Sequence, residues 1–379
     1  MMTKPIRSLI CFAIVGFCAS RVSAVVLFQD NFNTNTSGSW TKNAAPAANA
    51  ATQTAEFAFD YAGYGIPAAP GSVDTLGLRL RANVPIVSNV EVTTRPAGVL
   101  SGLSMSPTGQ NFGTNYKAEF YAWSNFFGAP NATGLGDNAA SEGGTANVLV
   151  AVGTSGTVPL AAGNPNAITG STIDGIAFAT TGDGGIGADW RVFPKSATAL
   201  PSTTAGVYAA APLGSATASS NADAFYTDKF PAQVAPDVQH TLASTEFGGD
   251  AADVMAGSMQ TGSFGFAWHK VTLTKTGGTV TWDVDDNRIA QYDASALTLG
   301  GNNIAIGVSD VNTSTARHPS LVFTIFDNLV VTDVVPPGVP GDYNGNGKVD
   351  AADYVLYRNG GPLQNEVNSV GSVDTTNGT

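Results

Sequence analysis

The chain has 379 residues, 43% of them hydrophobic and 12% charged, with 44 Gly and 20 Pro. That apolar share excludes a disordered polymer, the charge content is about half the usual ~25%, and the Gly and Pro favour many short strands over long helices. Lys and Arg number 17 against 29 Asp and Glu, a net charge of -12, so the basic stripe that phosphate backbones require is missing and nucleic acid is excluded as a partner.

Residues 1–24 open with Lys4 and Arg7, run through an apolar stretch from Ser8 to Ala19, and close on Val22-Ser23-Ala24. This is the pattern of a secretory signal peptide with a small-x-small cleavage site. Cleavage is expected after Ala24, and the mature protein is expected to be secreted, outside the cell or at its surface. The apolar stretch is too short to span a bilayer, so no membrane span is expected after cleavage. Phe17 stands where a lipoprotein signal carries a small residue before its cysteine. Both cysteines, Cys11 and Cys18, fall in the leader, which leaves the mature chain without a thiol nucleophile, thiolate metal site or disulfide. A core of this length holds without such staples, because the buried fraction rises with chain size.

From Val25 to Val335 the periodicity is that of strands. Val26–Phe32 comes first, then Phe57–Tyr61, Leu76–Arg81, Val90–Val92 and Tyr116–Trp123. In Leu76–Arg81 the apolar residues take one face and the arginines the other, as in a half-buried antiparallel strand. Further apolar runs lie at Val148–Val152, Ile173–Ala179 and Trp190–Phe193. Phe264–Thr276 and Thr279–Asp285 flank Gly277-Gly278, a tight hairpin signal. A second turn at Asp286-Asn287 leads into Arg288–Tyr292, completing a three-strand meander. Ile304–Val308 and Leu321–Thr332 close the series, and the small-residue stretches 128–145, 154–172 and 197–224 read as long surface loops. Many short strands without a long helical pattern predict an all-β sandwich of two sheets.

The opening Phe28-Gln29-Asp30-Asn31-Phe32, the meander and the closing Phe326-Asp327-Asn328-Leu329-Val330-Val331 resemble the concanavalin A-like jelly roll of laminin-G-type, lectin and glucanase modules. The resemblance implies two antiparallel sheets over residues 25–335. The same region is similar to secreted planctomycete-type proteins that carry such a module ahead of a dockerin-like tail.

Residues 336–340, Pro-Pro-Gly-Val-Pro, form a stiff linker to a tail at 341–379. A twelve-residue calcium loop needs oxygen ligands at positions one, three, five, seven, nine and twelve, with Gly at six. Asp342, Asn344, Asn346, the Lys348 carbonyl, Asp350 and Asp353 occupy those positions, with Gly347 at six and Val349 at eight. Ca2+ is the expected cofactor, and Ala351 to Arg358 can form the helix that holds the last ligand. The alternative is a solvated, turn-rich linker whose Asp and Asn bond their own backbone. The terminal Asp and single helix resemble a type I dockerin repeat, which implies a cohesin-like partner. A second repeat begins at Gly371 and stops without its helix, and Ala351 and Ala352 stand where partner selection is expected.

Ile173-Asp174-Gly175-Ile176-Ala177-Phe178 resembles a segment of legume-type lectins, which makes Asp174 and Gly175 candidate ligand-binding residues. The alternative is a buried strand reached through an Asp-Gly turn. Thr181–Asp189 offers a second calcium cradle or a glycine loop. Trp123, Trp190, Trp268 and Trp282 lie on alternating strands, as core residues or as a sugar-stacking platform. His240, His269 and His318 are isolated, and no two glutamates lie close in sequence. Asp283, Asp285 and Asp286 cluster at a hairpin turn, where a solvated edge is the simpler account. No catalytic residue is assigned, since the carboxylate pair of a glycosidase is not apparent. The expected function is a secreted, non-catalytic binding or surface-assembly module with polysaccharide as partner. A polysaccharide-degrading glycoside hydrolase on the same fold is one alternative, and a purely structural envelope protein is another.

Overall fold

The computed structural model of the protein describes residues 24–45, 53–82, 84–85, 101–126, 146–160, 173–182, 189–195, 220–247, 259–310, 315–316, 319–334, 341, 343–344 and 349–359. The first half holds β1 (Val26–Asp30), β2 (Trp40–Ala45), β3 (Thr54–Asp60), β4 (Leu76–Arg81), β5 (Val84–Pro85), β6 (Ser101–Pro107), β7 (Asn115–Asn125), β8 (Ala146–Thr154), β9 (Ile176–Thr181) and β10 (Trp190–Phe193). Two helices follow, α1 (Ala224–Thr227) and α2 (Val238–Phe247). Then come β11 (Trp268–Thr276), β12 (Thr279–Val284), β13 (Asn287–Asp293), β14 (Asn303–Asp310), β15 (Thr315–Ala316), β16 (Phe323–Asp333) and α3 (Ala351–Arg358).

The strands build two antiparallel sheets. The 8-stranded sheet runs β13-β12-β11-β7-β16-β4-β3, with β1 also on β16, and the 6-stranded sheet runs β10-β9-β8-β14-β6-β2. The spine of the larger sheet is β16. One of its edges pairs along β7, while the other pairs first with β4 through Thr324–Phe326 and then with β1 through Leu329–Thr332. The protein is therefore an all-β jelly-roll sandwich, as the strand periodicity implies. A short parallel pair of β5 and β15 stands apart.

Alternation decides what each strand buries. In β7, Tyr116, Ala118, Phe120 and Ala122 point into the space between the sheets, and in β11 Val271 and Leu273 do the same. Across that space Trp282 stacks on Phe178 at 5.3 Å, and Trp190 stacks on Tyr226 of α1 at 4.8 Å with the planes only 6° apart. Each fully buried side chain of this size contributes about 1.5–3 kcal/mol.

Several departures from the sequence reading have local causes. The second hairpin turn falls at Asp285-Asp286, one residue earlier than expected, with φ 49° and 62°. Two left-handed residues are what a tight antiparallel turn needs. Asp285 holds its place because one carboxylate oxygen accepts the Lys270 N–H at 2.9 Å and the other meets His269 Nδ1 at 2.6 Å. At the first hairpin, Gly277 supplies a φ of 56°, as Gly-Gly implies. Phe264–Phe266 stays outside β11, because Phe266 has a φ of 55° that breaks the pleat. β2 and β6 escape the periodicity test since their sequences, Trp-Thr-Lys-Asn-Ala-Ala and Ser-Gly-Leu-Ser-Met-Ser-Pro, are mostly small or polar. α1 adjoins the expected loop 197–224 and is started by Asp223, whose carboxylate accepts the Phe225 N–H at 2.9 Å. The leader through Ser23, Val90–Val92, the stretch 128–145, the linker 336–340 and the second repeat lie outside the described residues. No helix among the described residues is long and apolar enough to cross a membrane.

Candidate functional site

The outward face of the 8-stranded sheet carries aromatic, acidic and basic residues together, part of it covered by a second hydrophobic cluster. Cross-strand register lines up Glu56, Arg79, Ile325, Trp123 and Trp268 on five successive strands, β3, β4, β16, β7 and β11. All five belong to the face opposite Leu78, Leu80, Ala122 and Val271, which enter the sandwich core. Next to the row, β3 carries a register shift between Glu56 and Phe59, with Ala58 at φ 53°. That bulge leaves Phe59 beside Glu56 on the outside.

Arg79 is the centre of this group. Its guanidinium lies 3.8 Å from the Phe59 ring centroid and 5.8 and 5.7 Å from those of Tyr64 and Phe323. Nη2 pairs with Glu56 Oε2 at 2.5 Å, and Nη1 donates to the Tyr64 hydroxyl at 3.1 Å. The expectation of a solvated arginine face in β4 is thus met by Arg81, which is half-buried, and not by Arg79, which is 8% exposed. Desolvation of a guanidinium is offset here by ring faces and a carboxylate together.

Trp268 ends the row, half-exposed, and donates from Nε1 to the Pro67 carbonyl at 2.7 Å. Its ring meets Trp123 edge-on at 5.8 Å and Tyr61 at 5.3 Å. The segment bearing Tyr61 and Tyr64 is pinned from above by α2: Gln239 Nε2 donates to Tyr64 O at 3.1 Å and to Asn125 Oδ1 at 2.8 Å. Beyond the tryptophans the same face turns polar. Tyr121 stands opposite Lys270, Glu119 opposite Thr272 and Lys117 opposite Thr274. Lys117 pairs with Glu119 and Lys270 with Asp286, each at 2.5 Å. The Asp286 hydrogen bond holds the Lys270 ammonium above its ordinary range.

A buried carboxyl lies at the far side of this face. Asp327, at a bulge of β16 where Asn328 has a φ of 51°, accepts from Tyr61 Oη at 3.1 Å, Ser72 Oγ at 3.0 Å and the Asn328 N–H at 2.7 Å. Burial pushes its pKa up to about 6 against the pull of those donors, and burial also raises the Tyr61 phenol. Nearby, a cleft of about 550 Å³ is lined by Phe28, Asp30, Asn31, Thr36 and Asn328 among others. Asp30 is committed to structure there: it accepts from the Phe32 N–H at 2.8 Å, Thr36 Oγ1 at 2.6 Å and Trp40 Nε1 at 2.7 Å.

The residues singled out in the sequence fall in different places. Asp174 sits in a bend before β9; its Oδ2 accepts the Ser155 N–H at 2.9 Å and its carbonyl accepts the Gly300 N–H at 2.6 Å. A Cβ on Gly300 would come within 2.2 Å of that carboxylate, and one on Gly175 within 2.3 Å of the Val152 carbonyl. Asp174 and Gly175 therefore lock loops at the end of the 6-stranded sheet. Trp190 and Trp282 are core, whereas Trp123 and Trp268 belong to the outer row. His269 is buried against Phe264 and Phe230, at 4.5 and 5.5 Å, and pairs with Asp285. Asp283 pairs with Arg288 at 2.6 Å, so the turn aspartates are anchors.

In the tail, Asn344, Asp350 and Asp353 are described, while Asp342, Asn346 and Lys348 lie outside the described residues. Asp353 is buried and accepts the Asn344 N–H at 3.0 Å and the Asp350 N–H at 2.8 Å, while Asp350 caps α3 through the Ala352 N–H at 2.8 Å. Positions three, nine and twelve of the loop thus converge, and these backbone bonds hold the Asp353 carboxyl below its ordinary range. Asn344 takes part through its backbone N–H, and the Asp353 and Asp350 oxygens accept backbone amides, as in the self-bonded turn that is the alternative to a calcium loop. Among the described residues no three His, Cys, Asp or Glu form a metal cluster.

The sequence reading missed Arg79, Glu56 and Phe59 as a group. For Trp268, by contrast, the signal is the shift of apolar parity in β11, from Trp268 to Val271 and Leu273, which puts it on the other face.

No model of a known protein family matches the chain, and no curated protein matches it. Solved structures do resemble it. A Bacillus subtilis protein of unknown function with a galectin-like fold has 8% identity over 83% of this chain and 99% of its own, with a TM-score of 0.36. A Bacteroides ovatus family 16 endo-glucanase has 14% identity over 81% and 100%, with a TM-score of 0.34. The carbohydrate binding module CBM66 from Bacillus subtilis has 9% identity over 78% and 96%, with a TM-score of 0.32. These likenesses concern the fold.

Proposed function

We propose that this is a secreted, non-catalytic carbohydrate-binding module that holds an extracellular polysaccharide on the outer face of its 8-stranded sheet. The observation that carries the reading is the partly exposed Trp268 at one end of the row and Glu56, Phe59 and Tyr64 at the other, over a base of buried Arg79 and Trp123. A pyranose presents an apolar C–H face and a rim of hydroxyls. A half-exposed indole suits the first, and an Arg-Glu pair with adjoining Tyr and Lys groups suits the second. Glu56 and Glu119, the glutamates of this face, are both ion-paired. They stand on β3 and β7, three strand spacings apart and offset along the strands, so at least about 14 Å separates them. That exceeds the roughly 5–9.5 Å across which two carboxyls cleave a glycosidic bond, which favours retention over hydrolysis.

The leader would export the chain, with cleavage after Ala24. The tail would bind Ca2+ through Asp342, Asn344, Asn346, the Lys348 carbonyl, Asp350 and Asp353, the ion supplying the charge that closes the loop on α3. A cohesin-like partner would then serve surface assembly.

The test is a panel of insoluble polysaccharides scored for retention and for reducing-end release. Retention without release, lost in Trp268→Ala while the circular dichroism spectrum is kept, is the expected result. Reducing-end release would establish the hydrolase, and retention indifferent to Trp268→Ala and Phe59→Ala would remove this face from the account. For the tail, calorimetry with Ca2+ should show a site that Asp342→Ala abolishes.

A further inference from the structure

The start of β1 carries a contact that the full-length chain uses only in part. The Val25 backbone nitrogen donates to Asp333 Oδ1 at 2.5 Å, and the Asp333 N–H donates back to the Val25 carbonyl at 3.0 Å. The next pair along, Val26 with Thr332, is the first rung between β1 and β16. Asp333 thus closes the end of the ladder, yet among the described residues it has no Lys or Arg partner. The nearest basic residue in register, Lys117 opposite Thr332, is already paired with Glu119. Ala24 and Val25 are exposed, Val25 by 57%, so the bond between them is open to solvent.

We infer that Ala24–Val25 is a maturation site whose product amine is a structural group: once residues 1–24 are removed, the α-ammonium of Val25 forms an ion pair with Asp333 and latches β1 onto β16. The step is hydrolysis. Water adds across the peptide bond, leaving a carboxylate on Ala24 and an amine on Val25 that takes up a proton at neutral pH, where a free α-amino group is mostly charged. A neutral amide donor then becomes a cation at the same nitrogen, and a charge-assisted bond is stronger than a neutral one. Any other processing point would leave the charge away from this carboxylate. The inference rests on the secretory reading of the leader.

Hydrogen exchange across residues 26–30 tests the latch without needing secretion. Protein beginning at Val25, released in vitro from a fusion, is compared with the same protein acetylated at its α-amine, which keeps an N–H donor and removes the charge. Exposed ion pairs of this kind change local opening about two- to fivefold. Acetylation and Asp333→Asn should each speed exchange of β1 by that factor, and the two together should do no more than either alone. Unchanged exchange on acetylation, or effects that simply multiply, would overturn the latch. The intact mass of the exported protein tests the cut: a chain starting at Val25 supports it and another start overturns it. Failure to be exported at all would instead overturn the leader reading.

Discussion

The two faces of the 8-stranded sheet use aromatic residues for different ends. Inward, Trp282 is fully packed against Phe178 and Trp190 of the facing 6-stranded sheet, and Trp190 in turn stacks on Tyr226 and Phe230. Outward, Phe59, Tyr64 and Phe323 surround a guanidinium, and burial stops short of complete at Trp268, Phe59 and Tyr64. The inner set excludes water and supplies stability. The outer set keeps charged and hydroxyl groups beside ring faces, which costs stability that a packed core would retain and leaves chemistry at the surface.

Trp282→Ala opens the inner core and should cost about 3–5 kcal/mol in denaturant unfolding, a larger loss than any single change on the outer face; a smaller loss there than at Trp268 would erase the distinction. The second effect comes from Asp327. Its folded pKa of about 6 lies above that of an unfolded aspartate, so the native state binds the extra proton between those values. This group therefore favours the native state at low pH, and its contribution falls away as pH rises from about 4 to 6. Asp327→Asn should flatten that part of the stability profile by about 2–3 kcal/mol, and an unchanged slope would show the carboxyl to be solvated. Arg79→Met removes the charge but keeps the stem. It should cost about 1–2 kcal/mol, reduced further when Glu56→Gln is also present, because the Glu56 side chain is 39% exposed and can rehydrate. Lys270→Ala should change unfolding free energy by no more than about 0.5 kcal/mol, since its Asp286 partner is largely solvated. Any effect on polysaccharide retention would then report binding alone.

Much of this architecture was legible in local pattern. The strict alternation of Tyr116 to Trp123, and of Val271 and Leu273, gives strand and face at once, and Gly277-Gly278 gives the hairpin. The spacing from Asp342 to Asp353 is equally local, and of its positions Asn344, Asp350 and Asp353 are joined through backbone N–H groups. What was not legible depends on pairing across long stretches of chain. Phe59 shares the face of Glu56 and Arg79 only because of the bulge at Ala58, and Arg79 reaches Trp123 only through Ile325 of a strand far downstream. Asp174, attractive in a lectin-like string, gives one carboxylate oxygen to the Ser155 amide, a bond no local pattern reveals, and buries the other without a hydrogen bond.

The position of β16 has a consequence for how the molecule comes into being. This strand is hydrogen-bonded along both edges, to β7 on one side and to β4 and β1 on the other, yet it is the last strand of the sandwich to be synthesised. Until Phe323–Asp333 emerges, β1, β3 and β4 have no link to the meander of β7, β11, β12 and β13. Folding therefore waits for a closure between residues nearly the whole domain apart, as in Asp30 with Leu329. Such a high-contact-order closure is slow, so both halves of the 8-stranded sheet wait for their shared strand.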